Sequence, residues 1–396
     1  MLFLAQQTTP HAGGIQALWS AFYETWGYTA ENTVVALLLL AAAWLIWAAL
    51  RNAFWREAAD RLMRNRRAVI SFFVLAAYLL VGVLDSVRWR DYETNDAGDR
   101  LPLAAGGFAM QDRPRSLLDR LDGVTLNLHG KEEKTYSMPF ADQEFVKVTQ
   151  TAPDGGALRA YPPLQYPHRH PLGTDQVGKD VLYKAIKAIR TGLVIGGITT
   201  LIAIPFALFF GVQAGYFGRW IDDLITYIYS TLASIPGILL IIAFILAFGK
   251  GLTQLCIIMG VTAWTGLCRL IRGEVLKLRE MDYVYAARAI GAGPFWIQVK
   301  HVIPNVMHLV VIRTVLMFSG LVLAEAVLSY LNVGVGPNTM SWGSMINAGR
   351  FELAREPIIW WNLIAAFVFM FGLVLPANIF GDAVRDALDP RLKATD

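Results

Sequence analysis

Seven stretches of nearly unbroken apolar sequence constrain this chain more than any other feature. They run over 33–50, 68–84, 192–215, 224–248, 255–271, 307–329 and 358–379, each near the ~20 residues a helix needs to cross hydrocarbon. Charged residues make up 17% of the chain, against about 25% in soluble domains, and nearly all of them fall between these blocks. The sequence predicts a polytopic membrane protein. The first block is short and barely long enough to span. Met1–Pro10 lacks the basic start and cleavable apolar core of a signal peptide.

Short loops rich in Lys and Arg stay on the cytoplasmic side. Arg51, Arg56, Arg61, Arg64, Arg66 and Arg67 lie between the first two blocks, and Arg269, Arg272, Lys277, Arg279, Arg288 and Lys300 between the fifth and sixth. The tail adds Arg385, Arg391 and Lys393. Alternating helices put all three regions on one side and the N-terminus outside. The net charge of +4 therefore belongs to loops beside spans, and nucleic acid is not the expected partner. Membrane lipid is. Cys256 and Cys268 sit in one predicted helix, about 18 Å apart, too far to bridge.

The organisation that follows has four parts. Residues 1–67 hold an extra N-terminal helix and a basic cytoplasmic loop, and 68–87 the first core helix. Residues 88–178 form an extracytoplasmic loop or small domain, with short strands expected at Leu121–Leu128 and Phe145–Thr149. Residues 179–396 form the transmembrane core and a cytoplasmic tail. Asp180–Arg190 has one apolar face, the pattern of a helix lying in the headgroup plane or of one packed on the extracytoplasmic loop. Pro205, Pro236 and Pro376 are expected to kink or unwind their helices, and Gly192, Gly196, Gly197 and Gly211 to allow close helix packing.

Gly173–Lys179 spells most of a phosphate-binding loop, but Asp180 stands where Ser or Thr must hold magnesium. A nucleotide site is not expected there. His129, His168 and His170 lack the further ligands of a metal site, so neither metal nor cofactor is expected.

The segment 281–305 is unusual for a loop between spans. It reads as two short helices, the first capped by Asp282, with Gly291 and Gly293 at the turn, Pro294 opening the second and Pro304 closing it. Tyr283, Val284, Tyr285, Phe295 and Trp296 leave it with little polar surface. Such an elbow either docks a partner on an apolar patch or lies flat on its own bundle.

The same segment resembles the EAA loop of binding-protein-dependent ABC importer permeases. Ala286, Ala287, Gly291 and Pro304 fall at that pattern's spacings, with Ile303 in its Leu place. Tyr285 replaces its Glu and His301 its Ile. His170–Asp180, Ala324–Leu331, Ser341–Met345 and Asn378–Arg391 are similar, in order, to signatures of the dipeptide, oligopeptide and nickel branch, in its second-permease subunits. The likeness covers about 165–392, with 68–84 more loosely, and the usual pattern has six helices.

This resemblance implies an all-α integral membrane protein with the type I ABC importer permease core, about six core helices plus one. It implies a second homologous permease subunit, two cytoplasmic ATPases and an extracytoplasmic solute-binding protein. Alternating access would carry peptides or related small solutes inward, with the elbow 282–304 taking up ATPase motion through Tyr285, Ala286, Ala287, Gly291 and Pro304. No catalytic residue is expected in the chain itself. Glu325, an intramembrane carboxylate, either lines the translocation path and attracts a peptide amino group or hydrogen-bonds a neighbouring helix.

Two rival classes are weighed against this reading. An ion-coupled secondary transporter needs coupling carboxylates near the midplane, for which Glu325 alone is thin support. An intramembrane hydrolase needs HExxH, GxSxG or paired intramembrane aspartates, and no such motif appears in the sequence. Reporter fusions at Gln7 and Ala394 are expected to report opposite sides of the membrane. Same-side signals would mean that 33–50 does not span.

Overall fold

The computed structural model describes residues 51–89, 115–125, 127–128, 131–151, 157–336 and 339–388, with isolated helical positions between 32 and 50. The rest of the 33–50 block, His129 and the tail beyond 388 lie outside the described residues. Five helices are long and apolar enough to span: Arg66–Ser86, Val181–Phe217, Leu252–Leu278, Pro294–Tyr330 and Trp361–Leu388. A sixth span is made by Arg219–Ser234 with Gly237–Phe248, bent by 86° at their junction. The expected core blocks therefore all appear as helices.

The chain divides into two compact units, 1–52 with 83–125, and 53–82 with 126–396. In the first, β1 (Arg88–Trp89) pairs antiparallel with β2 (Arg115–Ser116). Asn32 clips the edge of β1, accepting from Arg88 N at 2.9 Å and donating to Arg88 O at 2.7 Å. Leu117–Val124 is a helix rather than the start of the strand expected over 121–128. Ser116 and Asp119 form a reciprocal capping box at its start, which satisfies two otherwise orphaned donors. That local chemistry overrides the alternating pattern.

In the second unit, α1 (Ala53–Arg64) turns the Arg-rich loop into an amphipathic helix. Its Ala58, Trp55 and Leu62 pack on Val384 and Leu388 of the last helix, Trp361–Leu388. The strand expected over Phe145–Thr149 is displaced toward the C-terminus: β3 (Val148–Thr151) pairs with β4 (Ala157–Ala160), and 145–147 is not strand.

Asp180–Arg190 does not lie apart as a headgroup helix. It forms the first turns of the 37-residue helix Val181–Phe217, about 55 Å long at 1.5 Å per residue. Asp180 caps it by accepting from Tyr183 N at 2.9 Å. The apolar face, Val181, Ala185, Ala188 and Ile189, is buried against Trp342 and Trp361, because no breaker separates Arg190 from the span that follows.

The phosphate-loop lookalike is a packed turn. Asp175 Oδ1 accepts from both Val177 N and Lys179 N at 2.9 Å, so these amides already carry a carboxylate. Gly173 holds φ +70° and Gly178 φ +79°. His170, buried behind the turn, hydrogen-bonds Asp180 through Nδ1 at 2.9 Å. The segment is tied to the membrane core by Trp361 Nε1 donating to Thr174 O and Trp342 Nε1 to Ala185 O. Burial pushes the Tyr136 phenol up to about 12 beside Glu352, and burial also raises Glu352.

The prolines divide into two kinds. Pro205 and Pro376 sit inside continuous helices, whereas Pro236 breaks its span, with Ile235 forced into extended backbone at ψ 131°. That is the steric demand of a proline on the residue before it. The helix pair Val181–Phe217 and Leu252–Leu278 packs closest. A Cβ on Gly211 would meet Cys268 O and Ile271 Cβ at 2.9 Å, and one on Gly215 would meet Val275 Cβ at 2.6 Å. Gly192 and Gly196 also face close neighbours, but Gly197 has open space. Gly211→Leu is expected to cost about 1–3 kcal/mol by overpacking, read as a lower Tm of the purified protein. Gly197→Ala, which meets open space inside a helix, should raise Tm slightly, by about 0.5–1 kcal/mol of stability.

Candidate functional site: the elbow

The elbow is built from backbone chemistry first. Asp282–Ala289 forms its first helix, but Met281 occupies the cap position and no side chain caps it, so Asp282 is a first-turn residue rather than the cap. Gly291 ends the helix at φ +84°. Ala292 N donates back to Ala287 O at 3.0 Å, the bond that closes a helix whose next residue is left-handed. Pro294 then opens the second helix at its first turn.

Pro304 does not close the segment. The second helix runs through a π turn, Gln298–Val302, into Ile303–Tyr330. Pro304 has no N–H to give the Lys300 carbonyl, and its ring crowds that turn. Widening the preceding turn resolves the conflict: Ile303 N reaches back to Gln298 O, and Asn305 Nδ2 donates to His301 O at 2.6 Å. Elbow and span are thus one continuous 37-residue helix, Pro294–Tyr330.

One side of the elbow is fixed and the other is open. Val284, Ala287, Ile297 and Val302 are buried in a cluster with Tyr216, Ile225, Tyr229 and Leu278. On the opposite side Ile290 is 82% exposed and Phe295 77%, with Tyr285, Trp296 and Val299 about half exposed. Nothing lies within 4 Å of a Cβ placed on Gly291. Of the five residues singled out from the sequence, Ala287 is a buried anchor, while Tyr285, Ala286, Gly291 and Pro304 are exposed.

Tyr285 donates its hydroxyl hydrogen bond to Glu280, which Arg279 also pairs at 2.9 Å. The bond to Glu280 raises the Tyr285 pKa, and the same bond lowers that of Glu280. Tyr285 is therefore a neutral donor that holds a carboxylate beside the exposed face. His301 sits edge-on to Trp296, with ring centroids 5.1 Å apart.

Polar contacts that the sequence did not reveal tie the elbow to the bundle. Gln298, in the π turn, accepts from Gln213 Nε2 at 3.1 Å. Arg288 lies over the Tyr216 ring, 5.1 Å from its centroid. Arg279 donates to Gly215 O at 3.2 Å. Arg272 grips Asp222 with two guanidinium nitrogens, joining Leu252–Leu278 to Arg219–Ser234. A lone Gln in an apolar run was a visible signal. The Asp222–Arg272 pairing, fifty residues apart, had none.

Glu325 lies far from the elbow, 1% exposed near the other end of the same helix. Ser329 Oγ donates to Glu325 Oε1 at 2.7 Å. Arg313 is exposed. Among the described residues no cluster of three metal-ligand side chains is present.

An apolar helical bundle with a rigidly attached, outward-facing elbow is the architecture of a membrane translocation subunit. Residues 203–394 match the family described as "Binding-protein-dependent transport system inner membrane component", and residues 53–103 match the "N-terminal TM domain of oligopeptide transport permease C". The dipeptide transport system permease protein DppC of Bacillus subtilis (strain 168) is 33% identical over 224 residues, 57% of this chain and 69% of that protein. The oligopeptide transport system permease protein OppC of Haemophilus influenzae is 32% identical over 247 residues, 62% of this chain and 78% of the relative. DppC of Lactococcus lactis subsp. cremoris is 27% identical over 86% of this chain and 91% of its own length. The chain belongs to the inner-membrane permease family of binding-protein-dependent transport systems, and it is a mostly helical, multi-pass inner-membrane protein.

Asp222 and Arg272 are expected to be energetically coupled. In a double-mutant cycle with Ala at each position, thermal unfolding should show an interaction of about 0.5–3 kcal/mol. Additive losses would show that the pair carries no stability.

Proposed function

We propose that this chain is one of two related permease subunits of an ATP-driven importer that carries short peptides into the cytoplasm. Family membership supports the importer assignment, and the dipeptide and oligopeptide relatives support the solute class. In this reading a solute-binding protein delivers the peptide outside, and two separate ATPases hydrolyse ATP inside. Lipid surrounds the outward-facing apolar helices.

The observation that carries the coupling assignment is the exposed apolar face of the elbow, backed by a buried anchor. An exposed apolar patch held rigidly marks a docking surface. Closure of the ATPases would push on Tyr285, Ala286, Gly291 and the neighbouring aromatic residues. Because the second elbow helix continues into a span, that push would move Pro294–Tyr330 as a rod. The cluster shared with Ile225 and Tyr229, together with the Asp222–Arg272 pair, would pass the motion to Arg219–Ser234. The break at Pro236 is then a natural hinge for alternating access. The ion-coupled alternative draws no support from Glu325, which is enclosed and bonded to Ser329.

In the same proposal 1–67 supplies an accessory helix and a basic cytoplasmic segment, 68–87 the first core helix, 88–178 the outer region and 179–396 the core. Deleting residues 1–50 is expected to preserve assembly with the partner permease.

Ile290→Glu, Tyr285→Ala and Gly291→Glu test the elbow. Ile290 and Tyr285 are exposed, so their substitutions should leave insertion and pairing with the second permease intact. Gly291→Glu adds charge and also strains a positive-φ position, costing about 1–2 kcal/mol. An unpaired charge forced into an interface costs several kcal/mol, so Ile290→Glu should sharply reduce co-purification of the ATPases and uncouple ATP hydrolysis from uptake in vesicles. Full attachment and uptake in all three variants would refute the docking assignment.

A further inference from the structure

At the end of Pro294–Tyr330 opposite the elbow, a cavity of about 180 Å³ lies between Lys250, in the turn that joins Gly237–Phe248 to Leu252–Leu278, and residues of 329–336 and 339–347. Its polar lining comes from Lys250, Ser329, Asn332, Thr339, Ser344 and Asn347. Among the described residues lining it there is one cation and no carboxylate. Lys250 Nζ presently donates to the Asn332 carbonyl at 2.6 Å, a neutral acceptor that an anionic oxygen would outcompete, since hydrogen bonds between ionised partners are roughly twice as strong.

The wall of this cavity is anchored into the span. Ser329 Oγ donates to the buried Glu325 carboxylate at 2.7 Å and accepts from Val335 N at 3.3 Å. Gly343 packs directly beneath it, where an added Cβ would meet Ala326 O and Ser329 Cβ at 2.6 Å. The loops carrying Lys250 and Asn332 are therefore held against the same helix whose far end forms the elbow. A group bound here touches one end of a continuous rod, and the ATPases of the proposed importer would touch the other.

We infer that this cavity is a subsite for the carboxyl end of a transported peptide, with Lys250 receiving the terminal carboxylate and Thr339 and Asn347 bonding the last peptide unit. The volume suits one terminal residue rather than a whole peptide. This assignment rests on the proposed peptide importer function. Lys250 is an affinity and specificity contact, not a catalytic group.

The test uses the complete importer in proteoliposomes, with saturating binding protein and ATP inside. Uptake is measured for a mixed library of di- to tetrapeptides and for the same library amidated at the C-terminus. Lys250→Ala should lower uptake of the free acids by about two- to fivefold, the range of an exposed charge contact, and leave the amides unchanged. Lys250→Arg should restore the acids. Equal losses for acids and amides would overturn the subsite, pointing instead to Lys250 as a structural clasp or a contact for an acidic side chain of the binding protein. No loss for either would also overturn it. Absence of uptake of both libraries by the unmodified importer would count against the peptide reading itself, so the two failures are separable.

Discussion

The backbone has to remain satisfied through Pro304, and the architecture around the elbow depends on how that is achieved. A proline at this point deprives the Lys300 carbonyl of its helical donor, and its ring crowds the preceding turn. A π turn absorbs the defect without interrupting the helix, as the Ile303-to-Gln298 bond shows. The alternative, a break like the 86° bend at Pro236, would have left the elbow a loosely hung loop. The two prolines have opposite consequences because Pro304 follows a widened helical turn, whereas Pro236 follows a residue driven into extended backbone.

A rigid elbow is useful only if it is also held to the rest of the bundle. Apolar burial supplies most of that hold, through Val284, Ala287, Ile297 and Val302. The polar contacts add direction. Gln213–Gln298 fixes the π turn, Arg288 stacks on Tyr216, and Asp222–Arg272 connects two helices with bidentate geometry. Bidentate Arg–carboxylate pairs resist rotation more than a single contact does. The close approach at Gly211 and Gly215 keeps the central helix pair rigid beneath this network.

Legibility of these features in the sequence varied with how local their causes were. The spans were readable because hydrocarbon imposes a length and an apolar composition on any helix that crosses it. The elbow was readable because Gly291 and Pro294 punctuate backbone locally. The strand expected over Leu121–Leu128 gives way at its start to the helix Leu117–Val124, because a capping box outweighs a short alternation. Asp180–Arg190 was misread as a headgroup helix because amphipathicity does not say whether an apolar face meets lipid or protein; here it meets Trp342 and Trp361, more than 150 residues away in sequence.

What the sequence alone determined was the number of core spans, the position of the elbow and the family signatures carried by 165–392. Each follows from chemistry confined to a window of about one helix. Only the tertiary structure decided that Pro304 lies within a helix, that Glu325 is enclosed with Ser329, and that Lys250 and Asn332 face one cavity. Those outcomes depend on which distant backbone or side chain supplies the missing partner, and hydrogen-bond satisfaction between remote segments leaves no periodicity in the chain to read.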